Sequence, residues 1–572
     1  MKTTLRWVSL LCALVLLAAA CDEGGSVDAG AGGPSRGVKG GTLLVFSQSD
    51  VDALDPGMAY AAFDFALLRG LVRELYSFDS RIEGERSLQP VPDLADGPYQ
   101  LSPDGRTYTF RIRRGVRYAP PVINREVQAS DFIYAVERQL DPAHPSPNPY
   151  SRLIHGAGAF AAGKARQIAG MQAPDPHTLR ITLDQPASDF PSILTLPFFS
   201  PVPRDHAAGY ALGQDYAQHL IASGPYRLRR YTPGRAVELV RNENWDPRTD
   251  PLRNAWADKV SVSIGKSETE IQQGIESGGA DLNLDAVPPP VADLQRLADD
   301  PTLRRQLAIE TTGCMHYLTL QMDAGSTRSL AVRQALNYAI DRQAVVLAIG
   351  GTYAGEPAST VLSPTLAGYS AFDLYPSQDH AGDPDKARQL LAGAGYPNGV
   401  KLTYVGQSSP KWKALYEALR SSLARAGIRL EPTFYKGLEA YTRSLRVRAR
   451  RDEHQLGAAR VCPDVPGNGS RSIIGVLLDG RTITPTSNNN YGDYNNPKVN
   501  ALIDQAYGTR DDRARNALWG QIDRLVMEDA AWAPLVYDRE AFFWASRVRH
   551  WTFTPWLANP DITNLWLDPN TP

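Results

Sequence analysis

The sequence predicts an α/β protein of more than one domain. Segments that alternate polar and apolar residues are interleaved with segments that repeat apolar residues at helical spacing, and no internal repeat is visible. With 572 residues and 43% hydrophobic content, the chain can fill several cores of about 100–200 residues each. Residues 41–47 (GTLLVFS) read as a buried strand, and residues 63–76 carry helical spacing. Ser102-Pro103-Asp104-Gly105 is a turn, after which residues 106–113 (RTYTFRIR) alternate as a half-buried strand does. Residues 131–140 (DFIYAVERQL) read as a helix with Asp131 as its N-cap. Amphipathic helices follow over 330–349, 383–394, 412–426 and 513–528, and Gly427 closes the third as a C-cap before a strand over 428–433.

The N-terminus fixes the expected compartment. Lys2 and Arg6 precede an almost wholly apolar run, residues 7–20, that ends Ala18-Ala19-Ala20-Cys21, the layout of a secretory signal. That run is short for a bilayer span, which needs about 20 apolar residues. Residues 22–39 (DEGGSVDAGAGGPSRGVK) have the composition of a flexible tether. The leader resembles a bacterial lipoprotein signal, although Ala18 stands where leucine is usual. The resemblance implies residues 1–20 as signal peptide, residues 21–39 as tether, and Cys21 as the lipidated residue that anchors an exported protein to a membrane. The alternative is an ordinary cleavage after alanine that leaves Cys21 unmodified.

Composition narrows the function. The formal charge is −2, and −4 once Lys2 and Arg6 leave with the leader, which argues against nucleic acid as a partner. The one basic cluster, residues 443–451 (RSLRVRARR), reads as the solvated face of a helix. No G-x-S-x-G, H-E-x-x-H, Walker loop or post-strand G-x-G-x-x-G is present. The S-x-x-K matches at Ser263 to Lys266 and Ser408 to Lys411 lack their companion motifs, and no histidine shows metal-ligand spacing. Binding is therefore favoured over catalysis, with no cofactor and no metal expected. Of four cysteines, Cys314 and Cys462 lie beyond the leader, and counting alone permits either one disulfide or two buried thiols.

Seven segments in order resemble family 5 bacterial extracellular solute-binding proteins, among them oligopeptide and dipeptide receptors of ABC importers. They are 92–115 (PDLADGPYQLSPDGRTYTFRIRRG), 129–140, 222–242 (ASGPYRLRRYTPGRAVELVRN), 332–345 (VRQALNYAIDRQAV), 383–402, 489–506 (NNYGDYNNPKVNALIDQA) and 519–537. The resemblance implies a two-lobed periplasmic-binding-protein-like fold (type II, cluster C) of three domains. Domain I is expected from 40–72, 197–313 and 533–572, domain II from 73–196, and domain III, the second lobe, from 314–532.

It also implies a monomeric receptor that encloses a peptide and delivers it to ABC permease subunits. Cys462-Pro463-Asp464-Val465-Pro466 is similar to the segment whose aspartate binds the ligand's α-ammonium, which casts Asp464 in that role. The main chain of Arg460, Val461 and Cys462 is expected to pair with the ligand backbone. Tyr60, Ala61 and Ala62 are expected to form the opposite wall, and Tyr150 and Tyr537 to line the pocket. Cys314 and Cys462 match a cysteine pair that some of these receptors bridge. Val461 and Ala458 depart from the usual tryptophan and arginine, and Arg460 brings a cation close to Asp464 in sequence. The same fold also carries oligosaccharides and other small solutes, and an exported hydrolase is the alternative of another class.

Overall fold

The computed structural model describes residues 37–571 apart from 83, 143–145, 147, 466 and 468, so the leader, Cys21 and all but the end of the tether lie outside the described residues. Three sheets carry the architecture. In the first, Thr42–Ser47 runs parallel to Lys259–Ile264 and to Leu282–Asn283, and Ala236–Arg241 and Tyr226–Thr232 extend it antiparallel. Thr42–Ser47 buries alternate residues, Leu43 and Val45 among them, against helix Ala62–Leu71 in a core that also draws in Phe543, Val548 and Ile562 near the C-terminus. The second sheet is four-stranded and antiparallel, in the order Gln100–Leu101, Thr107–Arg111, Thr178–Thr182, Met171–Asp175. Its core is aromatic, built on Tyr108, Phe110, Phe190 and Phe199, and Tyr150 is part of it.

The third sheet is six-stranded, in the order Gly355–Pro357, Trp532–Phe543, Leu307–Leu320, Leu456–Val461, Val400–Gln407, Ile428–Tyr435. One apolar cluster packs it against the helices between residues 330 and 426, and another packs it against Pro497–Gly508 and Asp512–Glu528. Strand Trp532–Phe543 begins in this sheet while Phe543 at its end packs in the first core, so the expected boundary at 533 falls inside one continuous strand.

Several sequence expectations shift for local reasons. The helix expected over 63–76 ends at Leu71, because Val72 is extended and Arg73 turns into a buried ion-pair cluster with Asp93, 2.7 Å away. The helix expected over 330–349 is two, Leu330–Ala339 and Arg342–Ile349; Asp341 caps the second by accepting the Ala344 N–H at 2.8 Å. Asp131 is not an N-cap. The helix starts two residues earlier, at Ala129, and Asp131 in its first turn accepts the Gln128 N–H at 2.9 Å. Helix Pro410–Arg425 ends as expected before Gly427, whose φ of +79° is the left-handed conformation that glycine adopts without strain. The basic run splits between helix Leu438–Arg446 and a following 3₁₀ turn, where Arg448 pairs with Asp493. No described helix is long and apolar enough to cross a membrane.

Candidate functional site

Strand Leu456–Val461 leads directly into the site. On one side it pairs antiparallel with Met315 to Leu320 of the neighbouring strand. On the other, the parallel strand Val400–Gln407 engages only Leu456 and Gly457, so among the described residues no strand flanks the edge from Ala458 to Val461. The chain leaves the sheet at Cys462, which is bridged to Cys314 across 148 residues of sequence. A tight loop follows. The Asp464 N–H donates to Ser472 Oγ at 3.0 Å, and Ser472 Oγ donates to the Gly469 carbonyl at 2.6 Å. A Cβ on Gly469 would sit 1.8 Å from the Val465 carbonyl oxygen, so only glycine fits there. Bridge and turn together hold the Asp464 backbone in one place.

Two tyrosines distant in sequence, Tyr60 just before helix Ala62–Leu71 and Tyr150 in the core of the second sheet, meet the Asp464 carboxylate. Tyr60 Oη donates to Oδ1 at 2.8 Å and Tyr150 Oη donates to Oδ2. Tyr150 is buried, whereas Tyr60 is 45% exposed and tilts against Phe198 with 5.9 Å between ring centroids. Among the described residues no lysine, arginine or histidine pairs with Asp464. Burial pushes its carboxyl above the ordinary value, and the two tyrosine hydrogen bonds only partly offset this. Burial and the Asp464 charge push both phenols upward, so they remain hydroxyl donors. Behind the carboxylate, Phe65, Arg69, Glu74, Leu196 and Trp556 line a cavity of about 20 Å³, room for about one water.

Arg460 does not meet Asp464. Its Nε lies 2.6 Å from Asp538 Oδ2 and its Nη2 3.2 Å from Glu540 Oε1, while His316 Nδ1 hydrogen-bonds the other Asp538 oxygen at 2.7 Å. Burial alone would raise the Asp538 carboxyl; His316 and Arg460 outweigh it and hold it at about 2.

The other expected wall residues are placed less favourably. The Ala61 carbonyl accepts the Phe65 N–H and its own N–H donates to Asp64 Oδ2 at 3.3 Å, so both of its main-chain groups serve the helix that Ala62 begins. Tyr537 is buried in the apolar cluster that packs the third sheet against Pro497–Gly508 and Asp512–Glu528. Its hydroxyl lies against Thr360 Oγ1 and accepts the N–H groups of Ser359 and Thr360, which leaves it no polar group for a pocket. Sequence reasoning missed Ser472, which steadies Asp464, and an ion pair between Asp189 and Arg471. An isolated serine and an isolated arginine carry no local pattern. Among the described residues no group of three His, Cys, Asp or Glu side chains is placed to hold a metal ion.

These features fit a two-lobed binding protein in which Asp464 meets Tyr60 and Tyr150 from distant parts of the chain. The chain belongs to the bacterial extracellular solute-binding proteins, family 5, whose model matches residues 89–466. It is 29% identical over 474 residues to heme-binding protein A of Haemophilus influenzae, covering 80% of each chain. It is 27% identical over 515 residues to di/tripeptide-binding protein 1 of Pseudomonas aeruginosa, covering 87% of this chain and 89% of that one. Among solved structures, clavulanic acid biosynthesis oligopeptide binding protein 2 superposes with a TM-score of 0.86 at 32% identity, over 93% of this chain and 96% of that one. The periplasmic murein tripeptide-binding protein MppA, in an unliganded open form, superposes with a TM-score of 0.72 at 23% identity and shows the shared fold.

Proposed function

We propose that this chain captures short peptides between its lobes, with Asp464 receiving the α-ammonium, and delivers them to the permease of an ABC importer. The observation that carries the reading is a half-buried carboxylate, without a cation among the described residues, facing neutral hydroxyls from the opposite lobe. A partly buried carboxylate without a cation is incompletely compensated, and an ammonium placed there forms a charge-assisted pair of the strong kind. Tyr60 and Tyr150 then share the carboxylate with the ligand and carry the contact across the lobes.

The unflanked edge of Ala458 to Val461 supports pairing of the ligand main chain with Arg460, Val461 and Cys462, a mode that binds without reading side chains. Arg460 is neutralised by Asp538 and Glu540, so its charge does not compete for Asp464. Members of this family are substrate-binding proteins, and we extend that to this chain as a receptor without catalysis. Cys21 serves as its lipid anchor on the outer face of the cytoplasmic membrane, and the receptor works as a monomer.

Thermal-shift measurements of the mature protein against short peptides, the same peptides N-acetylated, and oligosaccharides test the reading, since a specific ligand stabilises by mass action. Free peptides should raise Tm, and acetylation or Asp464→Asn should abolish the shift. Stabilisation by oligosaccharides alone would overturn the peptide assignment.

A further inference from the structure

Beside the Asp464 site, several polar contacts join the aromatic core around Tyr150 to the chain between residues 464 and 515, among them Arg510 Nη2 donating to the Ser102 and Pro103 carbonyls at 3.2 and 2.9 Å. In a buried one, Arg471 Nε lies 2.5 Å from Asp189 Oδ2 and Nη2 lies 2.7 Å from Oδ1, a two-pronged pair with side chains only 10% and 7% exposed. The Arg471 guanidinium also stacks on Tyr507, 3.5 Å from the ring centroid, and the Ser188 N–H donates to the Tyr507 carbonyl at 3.0 Å. Burial alone would lower the Arg471 pKa, but the Asp189 charge outweighs it and raises it.

Each partner is tied to one half of the Asp464 site. Asp189 immediately precedes Phe190, which packs in the same aromatic core as Tyr150. Arg471 immediately precedes Ser472, the residue that holds the Asp464 N–H. The Arg471–Asp189 geometry therefore sets where Tyr150 stands relative to Asp464. A forked guanidinium–carboxylate pair has one good orientation, so it fixes rotation as well as distance between the parts it joins.

We propose that Arg471 and Asp189 are positioning residues for ligand capture: a clasp that forms when the lobes meet and sets the Tyr150–Asp464 register. The clasp rests on the reading that the lobes enclose a ligand, but not on what that ligand is. Both groups regain water when the lobes part, so the pair acts on closure rather than on folding of either lobe. A neutral partner on one side leaves the other charge buried only in the closed form, which tilts the molecule towards opening. The effect on a bound ligand should fall on dissociation more than on association.

The test uses Arg471→Met, Asp189→Asn and the swap Asp189→Arg/Arg471→Asp in the mature protein. Small-angle scattering reads the radius of gyration without peptide. Stopped-flow fluorescence reads release of a tripeptide with a free α-ammonium and a dye at its C-terminal end. Each single variant should enlarge the radius of gyration and speed release about tenfold, with association changed less than threefold. The swap should move both readouts back towards the native values. If Arg471→Met does not fold, Asp189→Asn decides, because it keeps the native shape. Native radius and release rate in Asp189→Asn would overturn the clasp. A native protein that releases no tripeptide because it binds none would overturn the peptide reading, and the scattering arm would still decide the clasp.

Discussion

Asp464 follows strand Leu456–Val461 and Asp538 meets Arg460 of that strand from two strands away; Asp538 is buried and Asp464 half-buried, and their surroundings differ in kind. Asp538 has a guanidinium on one oxygen and an imidazole on the other, and its carboxyl is held at about 2. Asp464 has two phenolic hydroxyls and no cation among the described residues, and its carboxyl is pushed up. The first carboxylate is compensated within the fold, and its role there is structural. The second has hydrogen bonds but no opposing charge, which leaves a place for a cation from outside. On this contrast rests our proposal that Asp464, and not Asp538, receives the ligand.

The contrast can be broken most violently at the bridge. Cys314 and Cys462 close a loop of 148 residues, and the chain-entropy model assigns such a loop about 5 kcal/mol as an upper value. Cys314→Ser/Cys462→Ser should lower the urea midpoint sharply. It should also weaken peptide binding in the molecules that remain folded, because the Asp464 loop loses its tether at Cys462 while the Arg460–Asp538 pair keeps its sheet.

The two aspartates themselves should then dissociate stability from binding. Asp538→Ala leaves Arg460 with Glu540 alone and should cost about 2–3 kcal/mol of unfolding free energy. This is less than the ~3–5 of a fully buried pair because about a third of the Arg460 side chain stays in water. Asp464→Asn should leave unfolding unchanged or slightly raise it, since the ionised group is a burden to the fold. It should weaken peptide binding by about 2–4 kcal/mol in titration calorimetry, as expected when one partner of a buried charge pair is removed. Equal loss of stability in both variants would erase the distinction.

Much of this was legible in the sequence, and the remainder was not for identifiable reasons. The strand at Leu43 and Val45, the helix closed by Gly427 and the capped helix after Asp383 each announce themselves within a few residues, by alternation, a left-handed glycine or a capping aspartate. The misplaced helix ends at Leu71 and Ala339 depend on what Arg73 and Asp341 meet in three dimensions. The same holds at the site. Tyr60 meets Asp464 across 404 residues, and Asp189 meets Arg471 across 282, distances over which no periodicity in the chain carries information. Family resemblance pointed to Asp464 and the cysteine pair. It could not tell whether Arg460 would neutralise Asp464, because that depends on which side of the strand the arginine leaves and on Asp538 and Glu540 lying there to meet it.

A smaller effect concerns the two hydroxyls. Tyr150→Phe and Tyr60→Phe each remove one donor to the carboxylate and should weaken peptide binding about three- to tenfold, in line with about 1 kcal/mol per hydrogen bond. The buried Tyr150 should matter more than the half-exposed Tyr60, because water can replace only the latter.

The mildest perturbation is acid, and its sign differs between the two aspartates. The Asp464 carboxyl in the folded protein lies above its ordinary value near 3.8. Its contribution to stability is therefore full below 3.8 and is lost as pH rises through the raised value. Peptide binding runs the other way: it needs the carboxylate, so affinity should fall as pH drops through that same window. The ligand's α-ammonium, with a pKa of ~8, stays charged throughout. Binding in the window must then release a proton, which calorimetry in buffers of different ionisation enthalpy would register. Asp538, held at about 2, is already ionised across this range and should add nothing to it. Asp464→Asn should remove both the acid limb of affinity and the proton release, whereas persistence of either would place the titrating group elsewhere.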